Sequence, residues 1–452
     1  MVSALMRRLG AATCVALAAA ATVSAIAQPS VKFTDTRLKN GLRVIISEDH
    51  VAPVFSVAVV YNVGSRDERQ GRTGFAHLFE HMMFKGSENV GAGEHYYSIF
   101  SNGGTMNGTT NKERTLYYEQ LPANQLDMAL YLEADRMRAL SIEKDNLDNQ
   151  RQAVQEERRL GRDNQPYGRT SEAVDDLAFD NAAYKHSVIG SMDDLDAASV
   201  DDVASFFKTY YAPNNAILSI AGDVNGASTI EHVRRYFEPI PPQAAPPPVD
   251  TTEPPQKAER RLTLEDPLAR LPRIDIGYHI PSSLSPDDDT LDLLADILAS
   301  GRSSRFYEVL VRQKQLALGV GAFAGNSRGP RLFRIVATVP PGKPAGDVEA
   351  GIYAEIERLK AGPIADWEIE KSRNGARRQF VGTLGSSLSR ASLLAELTLL
   401  YGDPGKINTL YERVGKLNAA DVLRVAKTYL TPENRTVVLT TPKPAPTPGA
   451  GL

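Results

Sequence analysis

Between Pro239 and Pro255 the chain reads PIPPQAAPPPVDTTEPP, eight prolines in seventeen positions. Proline fixes φ and removes an amide donor, so neither a helix nor the middle of a sheet can pass through such a run. Residues 239–256 therefore read as a linker, and the cores of the chain lie on either side, in residues 28–238 and 257–441. Each side is long enough for a domain of its own. A second proline-rich run, Pro442 to Pro448, reads as the start of a disordered tail over 442–452.

The two sides repeat each other. DVASFFKTYYAPNNAILSI, from Asp202 to Ile220, matches DVLRVAKTYLTPENRTVVL, from Asp421 to Leu439, at seven of nineteen positions with an offset of 219. Both read as a helix, a Tyr-x-x-Pro break and a strand. Each side also opens on a β-rich run, Val54 to Val63 and Ile274 to Ile280, followed by a helical segment, 72–85 and 289–311. The fold expected is α+β: two homologous, duplicated α+β domains forming a clam-shell half around a cleft.

The first residues read as an address. Arg7 and Arg8 precede an alanine-rich apolar stretch from Leu9 to Ile26, and Ala25-Ile26-Ala27 has the small-x-small form that a signal peptidase cuts after. Residues 1–27 are expected to be a cleaved signal peptide, leaving Gln28 first, with no membrane partner after cleavage and a periplasmic destination. Cleavage removes Cys14, the only cysteine of the 452 residues, so a metal held by this protein must sit on nitrogen and oxygen. With 51 basic against 55 acidic side chains the chain lacks the cationic surplus that a phosphate backbone requires, and nucleic acid is excluded as a partner.

The chemistry is concentrated in Gly74 to Lys85, GFAHLFEHMMFK. On a helix His77 and His81 stand one turn apart on one face, with Glu80 about 60° to the side of His77. Phe75, Ala76, Leu78, Phe79, Met82, Met83 and Phe84 mark the helix as buried, where two imidazoles and a carboxylate need partners. Two imidazoles on a metal, with a carboxylate reaching its water, suit a hydrolytic zinc site, which takes three protein ligands and keeps one open position. His-x-x-Glu-His is the inverted form of the zincin motif. The third ligand is expected from the helix Lys144 to Arg159, where spacing leaves Glu156 and Glu157 both open.

With these motifs the chain resembles the inverzincin zinc peptidases of the pitrilysin and mitochondrial processing peptidase family. The likeness extends to Asn40-Gly41-Leu42, Phe84-Lys85-Gly86-Ser87, the run Gly103 to Thr110, and Pro213-Asn214-Asn215-Ala216 ahead of Gly222-Asp223. It implies that Glu157, 76 residues after His81, is the third ligand; that His77, His81 and Glu157 hold one Zn²⁺ per chain; and that Glu80 is the general base of an endopeptidase. It also implies that residues 103–110 form an edge strand beside the metal, where an extended oligopeptide or unfolded segment meets Asn107, Gly108 and Thr109.

The second side departs from the family's catalytic pattern. At the 219 offset His77, Glu80 and His81 become Asp296, Ala299 and Ser300. Active relatives supply a substrate-holding arginine and, seven residues later, a tyrosine; here Arg312 is followed at that place by Gly319. Gln150, seven residues before Glu157 on the same helix face, stands where many relatives carry a glutamate that supports the ligand from behind. The resemblance is to the zinc-bearing subunit of bacterial two-subunit periplasmic peptidases, which implies a heterodimer whose second, homologous subunit supplies the missing tyrosine. The competing reading is a non-catalytic metal-binding or peptide-binding assembly subunit of the same fold.

Overall fold

The computed structural model describes residues 30–443; the expected signal peptide, 1–27, and the tail beyond Lys443 lie outside the described residues. Among the described residues no helix is long and apolar enough to cross a membrane.

The first half runs β1 (Thr34–Arg37), β2 (Arg43–Glu48), β3 (Val54–Tyr61), α1 (Phe75–Met82), α2 (Glu94–Ser101), β4 (Thr105–Thr110), β5 (Thr115–Pro122), α3 (Leu126–Arg138), α4 (Lys144–Arg158), α5 (Thr170–Ala178), α6 (Ala182–Lys185), α7 (Met192–Asp196), α8 (Val200–Tyr210), β6 (Ala216–Gly222) and α9 (Gly226–Phe237). Residues 241–257 carry neither helix nor strand. The second half follows as β7 (Arg260–Asp266), β8 (Arg273–Ile280), α10 (Asp288–Ala299), β9 (Gly319–Ala324), β10 (Arg331–Thr338), α11 (Ala345–Ala361), α12 (Asp366–Leu384), α13 (Ser387–Tyr401), α14 (Leu410–Lys416), α15 (Ala419–Tyr429) and β11 (Arg435–Pro442).

The duplication is complete in three dimensions. The sheets are ordered β1-β2-β6-β3-β5-β4 and β7-β11-β8-β10-β9, the same connectivity with β1 added. Both hold one parallel pair, β2 with β6 and β7 with β11, among antiparallel neighbours. The 219 offset fits β3 against β8 and α8 against α15 at both ends. Two expected boundaries shift. Strand β11 runs through Pro442, and the Lys443 amide donates to the Asp266 carbonyl, so the sheet takes the first residues of the expected tail. The helix expected over 289–311 stops at Ala299, because Ser300-Gly301 and Ser303-Ser304 are poor helix formers and Gly301 turns with φ 73°; a π-helical turn, Tyr307–Gln313, resumes beyond.

Strand β3, VFSVAVVY, lacks the alternation of a half-exposed strand because both of its faces are covered. Phe55, Val57, Val59 and Tyr61 join a core with α1 and α3, while Ala58 and Val60 meet Ala391, Leu394 and Ala395 of α13. Helix α13 belongs to the second half. In return Val174 and Ala178 of α5, from the first half, pack on Leu332 and Val438 of the second sheet. Moved by 219, α5 falls within α13, so each half lends its partner the equivalent helix.

A carboxylate ties the halves where they meet. Glu113, in the turn between β4 and β5, accepts from the Arg328 amide at 2.6 Å, the Gly329 amide at 3.0 Å, Ser327 Oγ at 2.9 Å, Tyr184 Oη at 2.7 Å and Arg66 Nη1 at 3.1 Å. Burial pushes this carboxyl up, but the amide, the hydroxyl and the guanidiniums of Arg66 and Arg328 outweigh it and hold it below the ordinary glutamate value. A depressed folded pKa stabilises above the unfolded value of about 4.3 and loses that contribution as pH falls through the folded value. Urea midpoints measured from pH 6 to pH 3.5 are therefore expected to fall more steeply for the native chain than for Glu113→Gln, which at pH 7 is less stable by about 2–4 kcal/mol. Equal slopes would remove Glu113 from the acid sensitivity.

Candidate metal centre

Helix α1 starts at a glycine because nothing else fits there. Gly74 has φ 88°, and a Cβ on it would lie 2.5 Å from the Ile189 carbonyl oxygen. The cap comes from outside the helix: the Glu68 carboxylate accepts the Gly74 amide at 2.9 Å and the Ala76 amide at 2.7 Å, a favourable place for negative charge. Phe75, Leu78, Phe79 and Met82 then face the core, leaving His77 and His81 on the side turned to α4.

Helix α4 is aimed by its other face. Arg151 donates to the Leu195 and Ala198 carbonyls, Gln155 to Asp196, and Arg158 to Glu172 and the Gly190 carbonyl. This docking chooses between the adjacent glutamates. Glu157 Oε2 lies 3.6 Å from His77 Nε2 and 3.4 Å from His81 Nε2, whereas Glu156 turns away and pairs with Arg159. The three donor atoms lie within 4.8 Å of one another. A tetrahedral metal with bonds of about 2.0–2.1 Å sets its ligand atoms roughly 3.3–3.4 Å apart, so this donor set fits zinc in chemistry and in spacing.

The electrostatics suit a cation. Burial and the neighbouring His81 push His77 down to about 4, against the pull of Glu157, so its imidazole is neutral at pH 7, the form that binds metal. Glu157 is held below the usual glutamate value, chiefly by its contact with His81. His77 Nδ1 is buried with no hydrogen-bond partner, so packing, including the His81 ring with its centroid at 4.8 Å, orients this ring.

Glu80 is buried beside the cluster, and burial pushes its carboxyl up while the Thr110 hydroxyl, donating to Oε2 at 2.5 Å, opposes. Thr110 ends β4, the edge strand of the first sheet. A Cβ on Gly108 would lie 2.9 Å from Glu80 Cγ and 3.0 Å from Oε1, so glycine lets the strand pass this close to α1. The Gly108 amide donates to the Asn107 side chain at 2.8 Å. Arg114 Nη1 donates to Thr109 O at 2.8 Å and Oγ1 at 2.6 Å, and its Nε donates at 2.9 Å to Glu396 of α13. The exchanged helix thus reaches the strand beside the metal group. Sequence reasoning missed Thr110, Arg114 and Glu396; only the Thr110 hydroxyl, two residues past Gly108, left a local signal.

Two expected site residues stand apart. Arg312 lies in the π-helical turn beyond α10 and pairs with Glu308, one turn back, not with any residue of the metal group. Gln150 is buried, but its amide donates to neighbouring Asn149 rather than to Glu157 or the histidines. A second group, His95, Glu119 and Glu133, is wholly buried behind β5 and carries its own cation, since Arg136 pairs with Glu133 and lies 4.5 Å over the Tyr117 ring. Burial pushes Glu119 up to about 8 and His95 down to about 3.

Residues 43–191 match the family described as insulinase (peptidase family M16), and residues 197–376 match the peptidase M16 inactive domain. The chain is 31% identical over 415 residues to the zinc protease PqqE of Helicobacter pylori, covering 91% of this chain and 93% of that one. Among solved structures, a protease from Helicobacter pylori superposes with a TM-score of 0.87 at 31% identity, over 91% of this chain and 100% of that one. The periplasmic protease PqqL from Escherichia coli shares the fold, with a TM-score of 0.75 at 17% identity, over 92% of this chain but 48% of that one.

Proposed function

The chain belongs to peptidase family M16, and from that premise we propose that it is a zinc endopeptidase of the periplasm that cleaves extended oligopeptides or unfolded segments. The observation that carries this reading is the convergence of His77 Nε2, His81 Nε2 and Glu157 Oε2 within 4.8 Å, beside a buried carboxylate and an open strand edge. His77, His81 and Glu157 would hold zinc, which would supply Lewis acidity for the hydrolysis. Glu80 receives the proton of the attacking water and returns it to the departing amine. Thr110 orients that carboxylate, and Gly108 leaves it room.

The substrate lies along β4, the edge carrying Asn107, Gly108 and Thr109. Main-chain pairing to an edge strand selects conformation before side-chain identity, so flexible peptides are cut and rigid folded proteins are not. Periplasmic export rests on residues 1–27, and the described residues carry no membrane-spanning helix. A second homologous subunit completes the site.

Zinc content and cleavage of a fluorogenic unfolded peptide test this reading together. The native chain is expected to hold about one zinc, and His81→Ala to lose both metal and cleavage. A zinc-loaded native chain that cleaves no peptide, alone or with a homologous partner, would overturn the reading in favour of a non-catalytic assembly subunit.

A further inference from the structure

Along β5, Thr115, Tyr117, Glu119 and Leu121 share the face turned inward, where Tyr117 and Leu121 join the core with α1 and α3. Glu119 is 1% exposed, and neither of its oxygens has a hydrogen-bond partner among the described residues. His95 of α2 is 3% exposed, and its Nε2, 3.6 Å from Glu119 Oε2, has no partner either. An ionised carboxylate left bare in a dry core is costly, so a buried acid without donors calls for an explanation.

The groups around Glu119 can be counted element by element. Helix α3 brings Glu133 and Arg136, paired through Arg136 Nε at 3.0 Å and through Nη2. Helix α2 brings His95, and β3 brings Tyr61 beside Glu133 and Arg136. The Arg136 guanidinium lies 4.5 Å over the Tyr117 ring and 5.2 Å over the Phe84 ring. Glu133 and two aromatic faces therefore engage the one cation, and their pair is neutral. An ionised Glu119 would stand as a lone charge, which one proton cancels. The carboxylate is the better place for it: burial and Arg136 push His95 down to about 3, whereas burial pushes Glu119 up to about 8 against the pull of Arg136.

We propose that Glu119 is a carboxylic acid in the working protein, donating its proton to His95 Nε2, and that this proton is a latch holding α2 to the sheet until alkaline pH removes it. The latch bears on the metal group by position. Helix α2 packs on the edge strand β4, and its Tyr96 ring lies 5.3 Å from that of Phe84, two residues beyond α1. Neither Glu119 nor His95 is a donor of the His77, His81 and Glu157 group. The chemistry of the latch is therefore independent of the peptidase reading, on which only its consequence rests: alkaline loosening of the wall beside the cleft.

Amide hydrogen exchange of the zinc-loaded protein, native against Glu119→Gln at matched pH, tests it. Glutamine keeps the volume and offers His95 an N–H, so it stands for the protonated acid but does not titrate. An acid with a raised folded pKa stabilises fully below the ordinary glutamate value of about 4.3 and loses that contribution as pH rises to about 8. Opening that wets Glu119 releases one proton throughout that window. The native-to-variant ratio of exchange rates at α2 amides is therefore expected to rise about tenfold per pH unit from pH 6 to pH 8 and to level off above. Infrared difference spectra, native minus variant, are expected to show a protonated-carboxyl band at pH 7 that fades around pH 8. His95→Phe, an apolar ring in the same place, is expected to shift that band by removing the acceptor, and carries the assignment if Glu119→Gln fails to fold. A flat exchange ratio, absence of the carboxyl band, or a second metal ion that leaves with the Glu119 carboxylate would overturn the proposal. Cleavage enters none of these readouts, so failure of the peptidase reading and failure of the latch give different results.

Discussion

Glu80→Gln is expected to keep its zinc and to lose peptide cleavage by about 10²–10⁴-fold, the range for removing a general base. Glutamine fills the same volume, so the close passage of Gly108 is undisturbed, and its amide oxygen still accepts from Thr110. It cannot accept a proton from water. Glu80 is absent from the three-residue donor group, so metal content and activity separate in this variant, whereas they fall together when His77, His81 or Glu157 is replaced. Zinc per chain and the turnover number on one unfolded peptide decide the matter. A zinc-loaded variant within tenfold of native turnover would remove Glu80 from the chemistry.

The metal helix and the duplication were open to sequence reasoning because each is local or periodic. His77 and His81 share a face by helical geometry alone, and the 219 offset locates β8 from β3 and α15 from α8. What local pattern cannot carry is which surface covers which. The unbroken apolar run of β3 demands a second cover, yet nothing near it in sequence says that α13 provides it; Ser56 and Ser387, hydrogen-bonded at 2.9 Å, are 331 residues apart. The choice of Glu157 over Glu156 is of the same kind. Adjacent positions differ by about 100° around a helix, and only the docking of α4 through Arg151, Gln155 and Arg158 turns one of them to the histidines. The helix expected over 289–311 breaks at Ser300-Gly301, and Arg312, expected from the family likeness, lies on the separate turn beyond, paired with Glu308. Glu113 reads in sequence as a turn residue, and its role as a joint depends on Ser327, Arg328 and Gly329 arriving from the other half.

Purified alone, the chain is expected to bind zinc yet cleave peptides about 10²-fold more slowly than in the presence of a homologous subunit that carries the missing tyrosine. Peptide hydrolysis builds negative charge on the carbonyl oxygen, and removing one donor aimed at such an oxygen costs about 10²–10³-fold in rate. The donors beside the metal group are occupied: Thr110 on Glu80, and Arg114 on Thr109 and Glu396. The Glu157 side chain is 50% exposed, so the group is open on one side, and a hydrolytic site works best when bulk water is excluded there. A second chain of the same fold could supply both the donor and the cover. The decisive measurement is turnover with and without the product of a neighbouring homologous gene, at fixed zinc. A rise of about 10²-fold that disappears when the partner's tyrosine is replaced by phenylalanine assigns the donor to that chain. Full turnover by the isolated chain, unchanged on adding the partner, would show that residues of this chain suffice.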